Sequence, residues 1–230
     1  LVHMPAVQDH KRAYENDTGP NTGGMGTYSD SDHSLPFLEK SQIESAQKIN
    51  EATAKALKHK FGEGYKGILY GGFIATNTGV QLIEYNARFG DPEAMNILSI
   101  LDSDLIEICE AIISEDLYNT KVVFKNLATV CKYAVPEGYP DDPVKGHQID
   151  VSEVKNKNIL FYASVENKND NLIQIGSRAI AVVGHGETIW EAEQIAEDNI
   201  LKVKGPLFHR KDIGTTDLIQ KKINHMSSLK

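Results

Sequence analysis

Residues 82–93, with the sequence LIEYNARFGDPE, constrain the fold most strongly because they combine a strand, a charged turn and the start of a helix. Successive side chains of a strand point to opposite faces, so Glu84 and Asn86 are expected to share one face. Carboxylate and amide oxygens suit Mg²⁺, which usually completes its coordination with water and phosphate oxygens. The pattern therefore predicts a metal site, although an isolated E-x-N is more often part of an exposed sheet face.

The turn after this strand contains two charged residues that could bind a ligand, Arg88 and Asp91. Arg88 offers a planar fork for a carboxylate or a phosphate. Asp91 could accept a hydrogen bond from an amine or a hydroxyl, or it could cap the helix that begins behind Pro92. A simple ion pair between Arg88 and Asp91 is the alternative interpretation.

A second candidate region is the glycine-rich segment from Asp17 to Gly26, which is too rich in small residues for a helix. Its glycines would bring backbone N–H groups close to anionic oxygens, as phosphate-binding loops do. The segment matches neither of the two common nucleotide-binding glycine fingerprints, so a flexible surface loop is an equal alternative. The candidate phosphate or substrate contacts here are Lys11, Arg12, Asn21, Thr22, Gly23, Gly24 and Gly26.

The hydrophobic periodicity predicts alternating helices and short strands along the chain. Residues 41–61 are expected to form an amphipathic helix with a capping box at Ser41 and Glu44. A polar turn at 77–79 predicts a hairpin of two strands that ends at Asn86. Further helices are predicted at 92–101, 105–113 and 189–203, and further strands at 127–135, 159–165, 172–175 and 178–183.

These elements predict an α+β protein with two parts. The first part, residues 1–121, would carry an antiparallel sheet with helices, and the second, residues 122–230, would be a small β-rich α+β domain. Arg178 in the second part could reach an anionic ligand, although a lone arginine is more often a solvated residue at a strand edge. The basic segment from His209 to Gly214 has the same ambiguity.

Composition excludes several functional classes. The 230 residues carry a net charge of −8 with mixed signs, which does not favour nucleic acid as a partner. There is no apolar run of membrane-span or signal-peptide length, and Cys109 and Cys131 are interpreted as reduced core residues. We therefore expect a cytoplasmic protein with no membrane partner.

Three motifs together resemble one enzyme family. Residues 3–12 (HMPAVQDHKR), 19–26 and 84–93 occur in the order found in phosphoribosylamine–glycine ligases, which are also called glycinamide ribonucleotide synthetases. The resemblance covers nearly the whole chain and includes residues 210–214 (RKDIG). It implies an ATP-grasp fold, of which this chain would hold the C-terminal part, followed by the small C-terminal domain.

The resemblance also implies a reaction. ATP would phosphorylate glycine to glycyl phosphate, and 5-phosphoribosylamine would displace the phosphate to give glycinamide ribonucleotide, the second step of de novo purine synthesis. Glu84 and Asn86 match the family's Mg²⁺ or Mn²⁺ ligands. Arg88 and Asp91 match positions expected to hold the acyl phosphate and the amine, whereas Lys11, Arg12 and Arg178 are expected phosphate contacts.

The chain departs from the family in length, since the complete enzymes are about twice as long. We therefore expect an inactive fragment that needs its missing N-terminal half, which would supply the adenine pocket. Two alternatives remain: another ATP-grasp carboxylate–amine ligase, against which residues 8–12 argue, and a non-catalytic half of a split enzyme with a separate N-terminal partner chain.

Overall fold

The computed structural model describes residues 1–229 and contains five α-helices and thirteen strands within them. The helices are α1 (Lys40–Phe61), α2 (Glu93–Ser99), α3 (Leu105–Ile113), α4 (Ile189–Ile200) and α5 (Thr216–Ser228). The strands are β1 (Gln8–Asp9), β2 (Arg12–Tyr14), β3 (Thr18–Asn21), β4 (Gly26–Ser29), β5 (Tyr70–Thr76), β6 (Gly79–Asn86), β7 (Ala128–Pro136), β8 (Gln148–Ile149), β9 (Leu160–Tyr162), β10 (Val165–Lys168), β11 (Asn171–Gln174), β12 (Ile180–Gly186) and β13 (Leu207–Phe208).

The central element is an antiparallel sheet in the order β1-β4-β7-β12-β9, with β13 paired to the end of β7. All nine residues of β7 are buried. Along β12, Ile180 and Val182 belong to one hydrophobic cluster and Ala181 and Val183 to another. This alternation shows that both faces of the sheet are covered, which explains why its central strands are almost continuously apolar.

The sheet draws strands from both predicted parts of the chain. Its strands β1 and β4 come from residues 8–29, and β7, β12 and β9 come from residues 128–186. Asn96 of α2 connects strands from the two parts. Its buried side chain accepts a hydrogen bond from Thr27 on β4 and donates one to Thr129 on β7 at 3.0 Å. The division near Lys121 stays a prediction.

The hairpin predicted around residues 77–79 is present as β5 and β6. Glu84 and Asn86 both lie on β6, near the end that leads into Arg88. The pairing shifts between Gly72 and Phe73, so that Gly72 faces Glu84 and Phe73 faces Leu82. Ile83 therefore occupies a bulge, a local irregularity that bends a strand and re-aims its side chains.

Helix α1 confirms the predicted amphipathic helix but not its predicted cap. The capping box is formed by Glu39 and Gln42 rather than by Ser41 and Glu44, so the helix begins at Lys40. It ends at Phe61 and is capped by Gly62, which has φ of +80° and donates its N–H to the Lys58 carbonyl at 2.9 Å. A glycine in this left-handed conformation is a common helix terminus.

Cys131 is buried but Cys109 is exposed, so the expectation that both cysteines lie in the core was wrong for Cys109. Both thiols are free. Within residues 1–229, none of the helices combines the length and the apolar character that a membrane crossing requires.

Candidate active site

Asp91 and Arg178 form the centre of the candidate site. Asp91 lies in the turn between β6 and α2, and Arg178 lies two residues before β12. The Nη2 atom of Arg178 is 3.0 Å from Oδ2 of Asp91, and Nη1 donates to the Asp91 carbonyl at 3.3 Å. Asp91 thus pairs with Arg178 and not with its sequence neighbour Arg88.

The glycine-rich loop closes on the same arginine. Nη1 of Arg178 donates to the carbonyls of Gly23 at 2.9 Å and Gly24 at 3.1 Å. At Gly24 the backbone has φ of +115°, and a Cβ atom there would lie 2.7 Å from Cδ of Pro92 and 3.0 Å from Oδ1 of Asp9. Only glycine fits this approach without strain.

The loop is also held by its own hydrogen bonds. The Thr22 hydroxyl donates to the Lys11 carbonyl at 2.9 Å and accepts from the Gly24 N–H at 3.0 Å. The Gly23 N–H donates to the hydroxyl of Tyr139 at 3.2 Å. Asn21 is exposed at the end of β3, where it pairs with Arg12, and Gly26 is buried inside β4.

Tyr133 contacts both members of the Asp91–Arg178 pair. Its hydroxyl donates to Oδ1 of Asp91 at 2.9 Å, and its ring lies 4.5 Å from the Arg178 guanidinium carbon. Burial and the nearby Asp91 carboxylate raise the pKa of Tyr133 above its usual range. The phenol therefore stays protonated at neutral pH and acts as a donor.

A second carboxylate group lies beside the loop. Oδ2 of Asp9 is 2.6 Å from Nζ of Lys11, and the largest influence on Asp9 is burial, which together with the Glu93 carboxylate raises the pKa of Asp9 to about 6. Glu93 is itself buried and accepts a hydrogen bond from Tyr70 at 2.7 Å. Asp9 and Glu93 are therefore two neighbouring carboxyl groups with different partners, a lysine for Asp9 and a tyrosine hydroxyl for Glu93.

The predicted metal ligands are adjacent to one another. The amide nitrogen of Asn86 donates to Oε1 of Glu84 at 3.2 Å, which places both side-chain heads on the same side of β6. Within residues 1–229 there is no group of three or more His, Cys, Asp or Glu side chains arranged to hold a metal. The hard oxygens of Glu84 and Asn86 suit a divalent cation that takes its other ligands from water and phosphate.

The side chains of Arg88 and Arg12 make only local contacts among those described. Arg88 is exposed and donates to the carbonyl of Phe89 at 2.9 Å, and Arg12 donates to the Gly19 carbonyl at 2.8 Å. Arg210, from the second basic segment, is buried in ion pairs with Asp17 and Asp212, both at 2.8 Å. That segment therefore anchors the chain and is not an exposed basic patch.

An apolar cavity of about 290 Å³ lies apart from this polar cluster. Its lining includes Ile97 of α2, Ile108 of α3 and Leu101, which lies between the two helices. It contains none of the carboxylates described above, so the polar cluster and not the cavity is the candidate site.

Sequence reasoning did not single out Asp9, Tyr70, Glu93, Tyr133 or Tyr139 as site residues. Asp9 lies in the motif of residues 3–12 and Glu93 in the motif of residues 84–93. The charge of these two residues within the motifs was the sequence feature that could have indicated a role in the site. Tyr133 and Tyr139 lie in apolar or turn-like segments far from the motifs they contact. No local pattern identifies them, because their role depends on how β7 packs.

Comparison with known protein families and structures identifies the fold as that of an ATP-grasp protein. Residues 1–94 match the ATP-grasp (A) domain of phosphoribosylglycinamide synthetase, and residues 129–216 match the C domain of the same enzyme family. The chain belongs to the phosphoribosylglycinamide synthetase family.

Individual relatives agree with this membership. The chain is 52% identical over its whole length to the phosphoribosylamine–glycine ligase of Methanosarcina barkeri and 54% identical to that of Methanocaldococcus jannaschii, and it covers 53% and 52% of those proteins. The crystal structure of the Thermotoga maritima ligase superposes with a TM-score of 0.77 at 30% identity, covering 91% of this chain and 51% of that one. The chain thus spans about half the length of the relatives it matches.

Proposed function

We propose that the complete protein joins glycine to 5-phosphoribosylamine at the expense of ATP. The γ-phosphoryl group would pass to the glycine carboxylate, giving ADP and glycyl phosphate. The amine nitrogen would then attack the carbonyl carbon, the carbon–oxygen bond to phosphate would break, and phosphate and a proton would leave with glycinamide ribonucleotide as the product. The names of the relatives and the two domain matches support this proposal.

The observation that carries the proposal is the meeting of Asp91, Arg178 and the Gly23–Gly24 backbone at the end of the strand that bears Glu84 and Asn86. Phosphoryl transfer depends on positioning and on stabilising negative charge rather than on a protein nucleophile. A loop, an arginine and oxygen ligands for a cation are the groups that such a reaction requires.

Residues are proposed for each role. Glu84 and Asn86 would hold Mg²⁺ or Mn²⁺, which would neutralise charge on the phosphate oxygens. Asp91 would orient the amine substrate, and Arg88, which is exposed at the same turn, would bind the acyl phosphate.

Substrate contacts would come from the loop and its flanks. The proposed phosphate or substrate contacts are Lys11, Arg12, Asn21, Thr22, Gly23, Gly24, Gly26 and Arg178.

The exposed free thiol of Cys109 is consistent with a reducing, cytoplasmic setting. We propose further that the isolated 230-residue chain is inactive and requires the other half of the family protein.

The test compares this chain with the complete reading frame. The assay measures ADP release that depends on glycine, 5-phosphoribosylamine and Mg²⁺. In the complete protein, Glu84→Ala and Asn86→Ala are each expected to remove most activity, whereas Gln81→Ala, an exposed polar residue on the same strand, should leave it unchanged.

Other outcomes would assign the protein differently. ADP release with bicarbonate but not with glycine would identify a different ATP-grasp ligase. Absence of activity in the complete protein would favour a non-catalytic role, and activity that is indifferent to both substitutions would overturn the proposed metal site.

A further inference from the structure

Two residues of the second half of the chain hold the candidate site together. Tyr133 belongs to the central strand β7 and is 2% exposed, and Arg178 precedes β12. Both lie within the segment that matches the C domain, yet both contact Asp91, which lies in the segment that matches the A domain. The two segments therefore meet at the site, as they also do where β4 pairs with β7.

Asp91 is restrained only through these two partners among its described side-chain contacts. Its side chain is 56% exposed, so the surrounding packing does not fix its orientation. One carboxylate oxygen accepts from the Tyr133 hydroxyl at 2.9 Å, and the other pairs with Arg178 at 3.0 Å. With both oxygens engaged, the carboxylate is held in one orientation.

Arg178 links this carboxylate to the loop. Its Nη1 binds the carbonyls of Gly23 and Gly24, while its guanidinium stacks over the Tyr133 ring. The planar fork can serve two directions at once, which an ammonium group cannot do with the same geometry. The distance between Asp91 and the loop is thus set by the rigid guanidinium group of Arg178, which packs on the buried ring of Tyr133.

We propose that Tyr133 and Arg178 are positioning residues that fix Asp91 relative to the Gly23–Gly24 loop, so that the C domain completes the ligase site. This inference rests on the proposed function, because it assigns Asp91 to the reaction. The Tyr133 hydroxyl is the specific element: phenylalanine would retain the ring under Arg178 and lose only the hydrogen bond to Asp91.

The test uses the complete protein and steady-state kinetics. Tyr133→Phe should lower kcat by about 10- to 100-fold, the range expected for one hydrogen bond to a charged group, while KM for ATP changes less than about twofold. Arg178→Lys should lower kcat and also speed amide hydrogen exchange in the peptide covering residues 19–26.

Tyr28→Phe is the matched control. Tyr28 lies on the neighbouring strand β4, is fully buried, and its hydroxyl has no hydrogen-bond partner among the described residues. The same chemical change there should leave kcat and amide exchange as in the wild type. This control shows how much kcat changes when a core tyrosine loses its hydroxyl group. Any further decrease in kcat in Tyr133→Phe is then due to the lost contact with Asp91.

Three results decide between the interpretations. If the wild type is active and Tyr133→Phe matches Tyr28→Phe in kcat, the positioning role is wrong. If the wild type shows no glycine-dependent ADP release, the proposed function fails, and amide exchange then decides whether Arg178 restrains the loop. Exchange in Arg178→Lys equal to that in Tyr28→Phe would overturn that restraint as well.

Discussion

Arg210 and Asp17 form an ion pair of 2.8 Å although they are 193 positions apart in the chain. Arg210 is 1% exposed, and it also binds Asp212 at 2.8 Å and donates to the Arg12 carbonyl at 3.1 Å. Asp17 additionally contacts the buried His10 at 3.2 Å. The segment before α5 is therefore tied to the segment that leads into the glycine-rich loop.

Arg210→Met is expected to destabilise the chain by about 3 kcal/mol or more, because it leaves carboxylates without their buried partner. The measurement is urea unfolding of the 230-residue chain. Arg88→Met, at an exposed arginine with only a local contact, should change the free energy of unfolding by less than about 0.5 kcal/mol. Equal effects of the two substitutions would contradict a structural role for Arg210.

Gly24→Ala should disrupt the loop. The positive φ and the 2.7 Å approach to Pro92 leave no room for a methyl group, so we expect a loss of about 1–3 kcal/mol in stability and a large loss of activity in the complete protein. Gly64→Ala is the control because a Cβ there meets no atom within 4 Å. It should be neutral or stabilise by up to about 1 kcal/mol. A harmless Gly24→Ala would mean that the loop is not closely packed in solution.

Asp9 should titrate near neutral pH. Burial and the Glu93 carboxylate raise its pKa to about 6 from the ordinary aspartate value of 3.8, against the influence of Lys11. Because the folded pKa is the higher one, the stability that Asp9 contributes is fully present below pH 3.8 and is lost as the pH rises through about 6.

Carbon-detected NMR of the Asp9 carboxyl group should give a midpoint near pH 6. The difference in unfolding free energy between wild type and Asp9→Asn isolates this contribution from groups that shift the other way, such as Asp17, whose pKa is held below its usual range chiefly by the hydrogen bond with His10. A midpoint near pH 4 would show that Asp9 is hydrated in solution.

Lys132, like Arg210, is a buried basic residue whose removal should lower the free energy of unfolding. Its Nζ lies 2.7 Å from Glu193, 2.6 Å from Glu197 and 2.8 Å from the Lys211 carbonyl, and the side chain is fully buried. Lys132→Met should therefore cost about 3–5 kcal/mol, measured by urea unfolding.

Lys168→Met is the control for Lys132. Lys168 forms an exposed pair with Glu166 at 3.1 Å, and such pairs contribute about 0–1 kcal/mol. Adding Glu193→Gln to Lys132→Met should recover part of the loss, since it removes an unpaired buried carboxylate. No recovery would indicate that Lys132 stabilises the sheet mainly by packing.

Local patterns predicted the elements well and their contacts poorly. The hairpin, α1 and the strand that bears Glu84 and Asn86 follow from periodicity and turn residues, which act over a few positions. The same patterns suggested a pairing of Arg88 with Asp91, three positions apart. The structure instead pairs Asp91 with Arg178 because β12 and β7 bring that arginine beside the turn.

The sequence by itself determined the α+β class, the strand that carries the candidate metal ligands and the family resemblance, because each depends on residues close together in the chain. Only the tertiary structure decided that Tyr133 and Arg178 face Asp91, and that Arg210 is buried against Asp17. Such contacts depend on the packing of strands from distant segments into one sheet, and no local periodicity specifies that packing.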